Sequence, residues 1–405
     1  MKSALQLFIS FLFISFIIHA NATPSQTSSR IIRAQSLVSR DNGARSNNFV
    51  PEGIVFIPET NKLLISSTQF GSIISFNPQT GQATTKILGA GEGGDDPLLF
   101  GSIGLDYDSK LNLLFTPNSE REQLLGGEPQ FNSSSISVVD LFGNRSTSVF
   151  IEGSKFANDL AYSSRLNSLF ITDFLEFKIF RVDFPRVRKY YGGRYYHRRQ
   201  RSLPAANELK VSLFSDAEIL RPETRNFGPN GILVAPSGRY LITATSDGPT
   251  SKFIRFPLRR GQRGGRGEPQ VVPIFDLEGK QVSGGDLDIE GYDGLEFGGF
   301  WYGRRRGSYR PTEIYAITGE AVLRFASFNN FRSLTLVETI STDMPECATS
   351  TTGTLGRRNL LYVLCTFGEP GEIAVLSIKI KPLARRTKRR IFFNERRESR
   401  PRYEK

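Results

Sequence analysis

Asn158-Asp159-Leu160-Ala161-Tyr162, Ser168-Leu169-Phe170-Ile171-Thr172 and Lys178-Ile179-Phe180-Arg181-Val182 follow one another between residues 158 and 182. Each run is short and rich in aliphatic and aromatic residues, and Ser/Asn or Asp/Glu turns separate them, so the stretch reads as three antiparallel strands. The same opening recurs at Glu52-Gly53-Ile54-Val55-Phe56, Ile103-Gly104-Leu105-Asp106-Tyr107, Asn230-Gly231-Ile232-Leu233-Val234 and Asp293-Gly294-Leu295-Glu296-Phe297, with a looser sixth copy near Ala348. Second runs follow at Lys62–Ser66, Asn112–Thr116, Arg239–Thr243 and Leu360–Leu364, and third runs at Ser72–Phe76 and Glu313–Ile317. The fifth copy keeps only its start clearly. Helical periodicity is scarce, so the expected fold is all-β: a six-bladed β-propeller with basic loop insertions, its blades packed face to face around a central channel. A pair of β-sandwiches or another barrel is the alternative.

Working outward, 405 residues with 39% hydrophobic and 23% charged composition exclude both a disordered polyelectrolyte and a multi-pass membrane protein. Lys2, the apolar run Leu7–Ile18 and Ala20-Asn21-Ala22 form a secretory signal peptide over residues 1–22, so the mature chain is expected to start near Thr23 and to be secreted and extracellular. No segment reaches the length of a membrane-spanning helix. An N-terminal segment (23–48), the propeller (49–380) and a basic C-terminal tail (381–405) follow. Asn132 and Asn144 head glycosylation sequons. Only two histidines and two cysteines are present, which rules out His/Cys zinc sites. His19 leaves with the signal peptide, and His197 lies in an Arg/Tyr/Gly stretch, so a Ser/His/Asp triad is not expected. Cys347 and Cys365 flank a turn signal between two strand-like runs and are expected to form a hairpin disulfide in an oxidising compartment.

The net charge of +12 is unevenly placed. Inserts 186–201, 259–266 and 304–310 hold seven, four and four Arg or Lys and no acid, and the segment from Lys381 onward holds eleven bases against three acids. The remaining body is acidic. These basic stretches read as solvated loops and a tail, with an acidic polysaccharide or anionic surface as the polyanion partner they would suit. Nucleic acid is not the expected partner.

The first residue of each repeat should sit at the mouth of an innermost strand, where six side chains converge on the axis. The set is Glu52, Ile103, Asn158, Asn230, Asp293 and a residue near Ala348 to Ser350. Two carboxylates and two carboxamides are hard oxygen donors that suit Ca2+ better than Mg2+. Each Asn-Gly, Asn-Asp or Asp-Gly pair is also common turn chemistry, so the reading rests on recurrence at one repeat position.

Pro51-Glu52-Gly53, Phe156-Ala157-Asn158-Asp159, Gly228-Pro229-Asn230-Gly231 and Tyr292-Asp293-Gly294 resemble, in order, the four metal-binding segments of the senescence marker protein (regucalcin)/gluconolactonase family. The calcium site also looks like that of diisopropyl fluorophosphatase and paraoxonase. The resemblance runs from about Phe49 to Ile378, and it implies Glu52, Asn158, Asn230 and Asp293 as calcium ligands. The Arg-rich inserts depart from the pattern, and the lone His197 removes the histidine pair of paraoxonase-like enzymes. Strictosidine synthase shares the propeller but generally lacks this metal set.

The family implies hydrolysis of a small-molecule lactone or related ester. With no usable histidine, Asp293 is the expected catalytic base or nucleophile. Asp159 and Glu296 lie near ring positions in sequence, where strand alternation leaves open whether they face the channel or point elsewhere, and Asp173 reads as a turn carboxylate. Gly89–Gly94 reads as a flexible connector, and Trp301 as either an entrance residue or packing. Two functions stand side by side: a secreted calcium-dependent lactonase or esterase, and a non-catalytic extracellular propeller that holds an acidic partner on its Arg/Tyr loops.

Overall fold

A computed structural model describes residues 29–33, 49–87, 89–90, 93–120, 131, 133–143, 145–185, 203–224, 227–258, 268–287, 291–298, 312–344, 347, 349–366 and 373–398. The signal peptide, Asn132, Asn144, His197, Trp301 and all three Arg-rich inserts lie outside them. Among the described residues no helix is long and apolar enough to cross a membrane.

Among the described residues β1 (Ser29–Arg33) comes first, and six sheets are formed. Blade one holds β2 (Pro51–Ile57), β3 (Lys62–Ser67), β4 (Ile73–Phe76) and β5 (Ala83–Ile87); blade two holds β6 (Asp106–Asp108), β7 (Leu113–Asn118), β8 (Ser135–Asp140) and β9 (Arg145–Phe150). Blade three is β10 (Ala157–Ser163), β11 (Ser168–Asp173), β12 (Lys178–Asp183) and β13 (Lys210–Ser215); blade four is β14 (Pro229–Val234), β15 (Tyr240–Thr245), β16 (Phe253–Pro257) and β17 (Gln270–Val272). After β18 (Ile274–Phe275) and β19 (Gln281–Val282) come the blade-five strands β20 (Leu295–Gly298), β21 (Thr312–Ile317), β22 (Ala321–Ser327) and β23 (Leu334–Ser341). Blade six has β24 (Thr349–Leu355), β25 (Leu360–Thr366) and β26 (Ala374–Lys379). The expected six-bladed propeller is therefore the fold.

The first hairpin of each blade is set by its turn. Asn61, Asn112 and Asn167 occupy the same position in blades one to three, directly before the second strand, with left-handed backbone, and in blade four Gly238 takes that conformation one residue earlier in the turn. These residue types reach that region at least cost.

The core is six apolar layers, one at each blade junction. Leu63 and Ile65 of β3 pack on Leu364 and Val375 of blade six, while Leu64 turns to Leu105 and Leu114 of blade two. In β11, Leu169 and Ile171 meet Phe115 and Val138, and Phe170 meets Leu241 and Ile254. Ile242 and Phe253 pack on Ile314 and Phe325, and Tyr315 and Val322 on Leu361 and Val363, closing the circle. Both faces of every middle strand are buried, which is why these strands read as continuous apolar runs rather than alternating ones.

Four sequence expectations change here. The 23–48 segment is not wholly outside the propeller, because β1 pairs antiparallel with β26 from Ser29↔Ile378 to Arg33↔Ala374. A circular array made from one chain leaves an open edge where its ends meet, and a strand from the far terminus covers that edge. Glu313–Ile317 belongs to the second strand of blade five, not the third, since it pairs with β20 across the 299–311 insertion. The described ends of the Gly89–Gly94 segment are held rather than flexible: Gly89 N–H donates to Ser72 Oγ of blade one at 2.9 Å and Gly94 N–H to Gly89 O at 2.9 Å, while residues 91–92 lie outside the described residues.

The fourth change concerns the basic tail. Arg385–Glu398 forms a helix, α1, that docks on blade five. Leu383 and Ile391 pack with Ala326, and the buried Glu395 carboxylate accepts the Phe328 N–H at 2.9 and 3.0 Å. Ile391 and Glu395, four residues apart on one helix face, and Leu383 just before the helix are enough to dock it among many arginines.

Cys347 and Cys365 form a disulfide across the start of blade six, as expected. It spans a sequence separation of 18 residues and joins β25 to the residues just before β24. Replacing both cysteines by alanine should lower unfolding stability by about 3 kcal/mol, most of it through the unfolded chain. Denaturant unfolding of the double variant beside the native protein measures this, and an unchanged midpoint would refute it.

Candidate functional site

The innermost strands share an irregularity that builds the axis. In blades one, three, four and six the pairing slips at the same place: Pro51↔Ser67 then Ile54↔Ile65, Ala157↔Asp173 then Leu160↔Ile171, Pro229↔Thr245 then Ile232↔Thr243, and Ser350↔Cys365 then Gly353↔Val363. An extra residue per strand re-aims the side chains, as β-bulges do. Glu52, Asn158, Asn230 and Thr351 thereby take equivalent positions. By this register the sixth axial position is Thr351, next to the Ala348 to Ser350 stretch: the Ser350 hydroxyl is spent on Thr318 O at 2.5 Å, while Thr351 Oγ1 donates to Glu52 O at 3.3 Å, and its neighbour Thr352 borders the axial cavity.

The four predicted oxygen residues meet. Glu52, Asn158, Asn230 and Asp293 line one small cavity together with Ile103, Asp159 and Thr352. Asn158 Nδ2 donates to Asn230 Oδ1, and Asn230 Nδ2 donates to Asp293 Oδ1 at 2.9 Å. The glycines after the ring positions are not turn residues. Gly53 and Gly231 lie within strands without positive φ, and a Cβ on Gly53 would come 2.1 Å from Ile103 O, one on Gly231 2.7 Å from Leu295. Close approach of the next blade is what requires them.

Hydroxyls tie the blades together at this level. Ser66 Oγ accepts the Gly53 N–H at 2.9 Å and donates to Ile103 O at 2.5 Å; Thr172 Oγ1 accepts the Asp159 N–H at 3.1 Å and donates to Asn230 O at 2.8 Å. Asp173 is the structural carboxylate expected. It accepts Ser154 Oγ and the N–H groups of Lys155, Phe156, Leu175 and Glu176, which fastens the loop leading into Asn158.

Below the ring the channel opens into a cavity of about 220 Å³ lined by Asp106, Asp159, Glu296, Tyr162 and Phe297 among others. Asp159 and Glu296, whose direction the sequence left open, both face the channel, and Asp159 borders both cavities. Asp106 was not singled out from the sequence. Its signal was the register, since it stands three residues after the ring position of its blade, as Glu296 does after Asp293.

Burial dominates the electrostatics. It pushes Asp293 up to about 7, with the Asn230 amide pulling the other way. Burial also lifts Asp159 to about 7 against the N–H groups of Leu160 and Ile232, with the charges of Asp106 and Asp293 adding to the rise. Asp106 reaches about 6 and Glu296 about 8, chiefly by burial, and the Asp106 charge raises Glu296 further. All four keep some accessible surface because they face the channel, while protein encloses them on every side.

The donor set fits a hard cation: two carboxylates and two carboxamides converge, and one carboxylate is buried with an amide as its partner. Among the described residues no group of three or more His, Cys, Asp or Glu is placed to hold a metal ion, so a cation here depends on the amide oxygens.

These carboxyls titrate higher in the fold than the value near 4 of an unfolded chain. The folded state therefore holds more protons in between, and their contribution to stability is full below about 4 and is lost as pH rises through about 6 to 8. In chelator, the protein should melt lower at pH about 8.5 than at pH about 5. The Asp106→Asn, Glu296→Gln double variant should flatten that slope; a slope identical to the native one would count against this account of the channel.

No protein-family model matches the chain, and no curated protein matches it. Its structure is similar to those of a gluconolactonase from Xanthomonas campestris (12% identity, 87% of this chain and 90% of that one, TM-score 0.50) and the Mala s 1 allergen of Malassezia sympodialis (14% identity, 88% and 98%, TM-score 0.57). At these identities the likeness is one of fold, and it includes a gluconolactonase, the group whose motifs the sequence resembles.

Proposed function

We propose that the protein is a secreted, calcium-dependent hydrolase of a lactone or related ester. The observation that carries this is the convergence of Glu52, Asn158, Asn230 and Asp293, from four different blades, on one axial cavity. The disulfide supports an oxidising compartment, and with it the secretory reading of residues 1–22 and the use of Asn132 and Asn144 as glycan acceptors.

Glu52 and Asp293 would hold the cation with their carboxylates, and Asn158 and Asn230 with their amide oxygens. A bound Ca2+ supplies polarisation of the substrate carbonyl and offsets the charge that develops on its oxygen. Asn230 holds Asp293 through the 2.9 Å hydrogen bond, leaving the other carboxylate oxygen for a proton. Asp293 accepts the proton of the attacking water as the new C–O bond forms, and returns it to the alkoxide as the ester C–O bond breaks. Glu52 and Asn158 complete the wall of the site, and the Thr172–Asn230 hydrogen bond holds the Asn230 backbone against blade three.

Asp293→Asn should lower hydrolysis of a susceptible lactone or ester by on the order of a hundredfold or more. Calcium should raise the melting temperature of the native protein and not that of Asn230→Ala. The assay is a lactone and ester panel with calcium or chelator, beside thermal unfolding. Full activity in Asp293→Asn, or an equal calcium response in Asn230→Ala, would overturn the proposal.

A further inference from the structure

The helix α1 carries an outward stripe that the propeller does not use. Arg386, Arg389, Arg390 and Phe393 are exposed, and their spacing of three, four and seven residues places them on one face. Phe393 is 62% exposed, among the largest apolar exposures on the described surface. The opposite face is held: Ile391 and Glu395 are buried against blade five, and Asn394 donates weakly to Leu277 O at 3.5 Å. The stripe is thus presented by a docked helix rather than by a free tail.

Its chemistry is mixed in a specific way. Arg390 reaches Glu278 at 3.1 Å and is partly neutralised, which leaves Arg386 and Arg389 as the open charges of the stripe. Phe393 ends an aromatic row that runs from the core outward, with Phe328 to Phe392 centroids 5.8 Å apart and Phe392 to Phe393 6.0 Å apart. A soluble polyanion would reward the guanidinium groups alone. An anionic bilayer surface rewards both, since the phenyl ring enters the headgroup boundary while the arginines reach lipid phosphates with their heads and lay their stems along the apolar edge.

We propose that the outer face of α1, made of Arg386, Arg389, Arg390 and Phe393, is a docking surface for an anionic phospholipid membrane. The docked helix needs no ordering on binding, so its contacts translate into affinity with little entropic loss. This surface is independent of the channel site and of whether that site is catalytic.

The test is cosedimentation of the mature chain with vesicles of phosphatidylcholine mixed with phosphatidylserine, and with vesicles of phosphatidylcholine alone. The native protein should bind the mixed vesicles and not the neutral ones. Arg386→Glu with Arg389→Glu should weaken that binding on the order of a hundredfold, because reversing two charges lowers the local net charge by four near the surface. Phe393→Ser should remove the part of the binding that survives raised salt. Unchanged melting temperatures for both variants show that α1 stays docked. Failure of the native protein to bind mixed vesicles, or equal binding by the variants, overturns the proposal. Loss of heparin retention in the charge variant without any vesicle binding would assign the face to a soluble polyanion instead, and equally overturns it.

Discussion

Burial of both faces of every blade against its neighbours is the constraint on which the rest depends. A four-stranded sheet with Leu63 and Ile65 on one face and Leu64 on the other has no stable existence alone. At roughly 1.5–3 kcal/mol for each large apolar side chain removed from water, a blade without neighbours forfeits two layers at once. The layers must therefore close into a circle, and closure needs an edge strand that only the opposite end of the chain can supply. Pairing of Ser29–Arg33 with Ala374–Lys379 meets that need, and the Cys347–Cys365 bridge fastens the same blade from its axial side.

Closure also makes the channel. Six innermost strands drawn to one axis approach so closely that Gly53, Gly104, Gly231 and Gly294 have no room for a side chain beside the next blade. The blades instead project side chains from the preceding level, where Glu52, Asn158, Asn230 and Asp293 gather, and from deeper levels, where Asp106 and Glu296 gather. Asp159 stands where four of the other blades have glycine, and its carboxyl occupies the space beside Gly104. The raised titration of these acids follows from the packing that surrounds them, because the strands that bring them together also exclude bulk water.

The chain separates its charges by distance from that axis. Acids occupy the channel, while the docked helix carries arginines at the rim of blade five. Glu395 shows how the two regimes meet: buried under the helix, it accepts a backbone N–H of blade five, and its acidity serves docking rather than chemistry. The same sequence feature, a basic segment sparse in apolar residues, thus becomes an ordered element because Ile391 and Glu395 share a helix face and Leu383 packs just before it.

Read alone, the sequence determined most of the strands, their sixfold repetition and five of the axial residues. Those depend on local alternation and on turn residues such as Asn61, Asn112 and Asn167, whose conformational preference needs no distant partner. The position of Asn230 in its repeat was likewise enough to place it beside Asn158 and Asp293. Tertiary structure alone decided that Thr351 is the sixth axial residue, because a bulge in β24 shifts the register there. It alone decided that Asp106 and Glu296 share one cavity, that Ser29–Arg33 closes the ring and that α1 docks. Each of these joins residues far apart in the chain, and no local propensity carries information about a contact whose free energy comes from burying a distant surface.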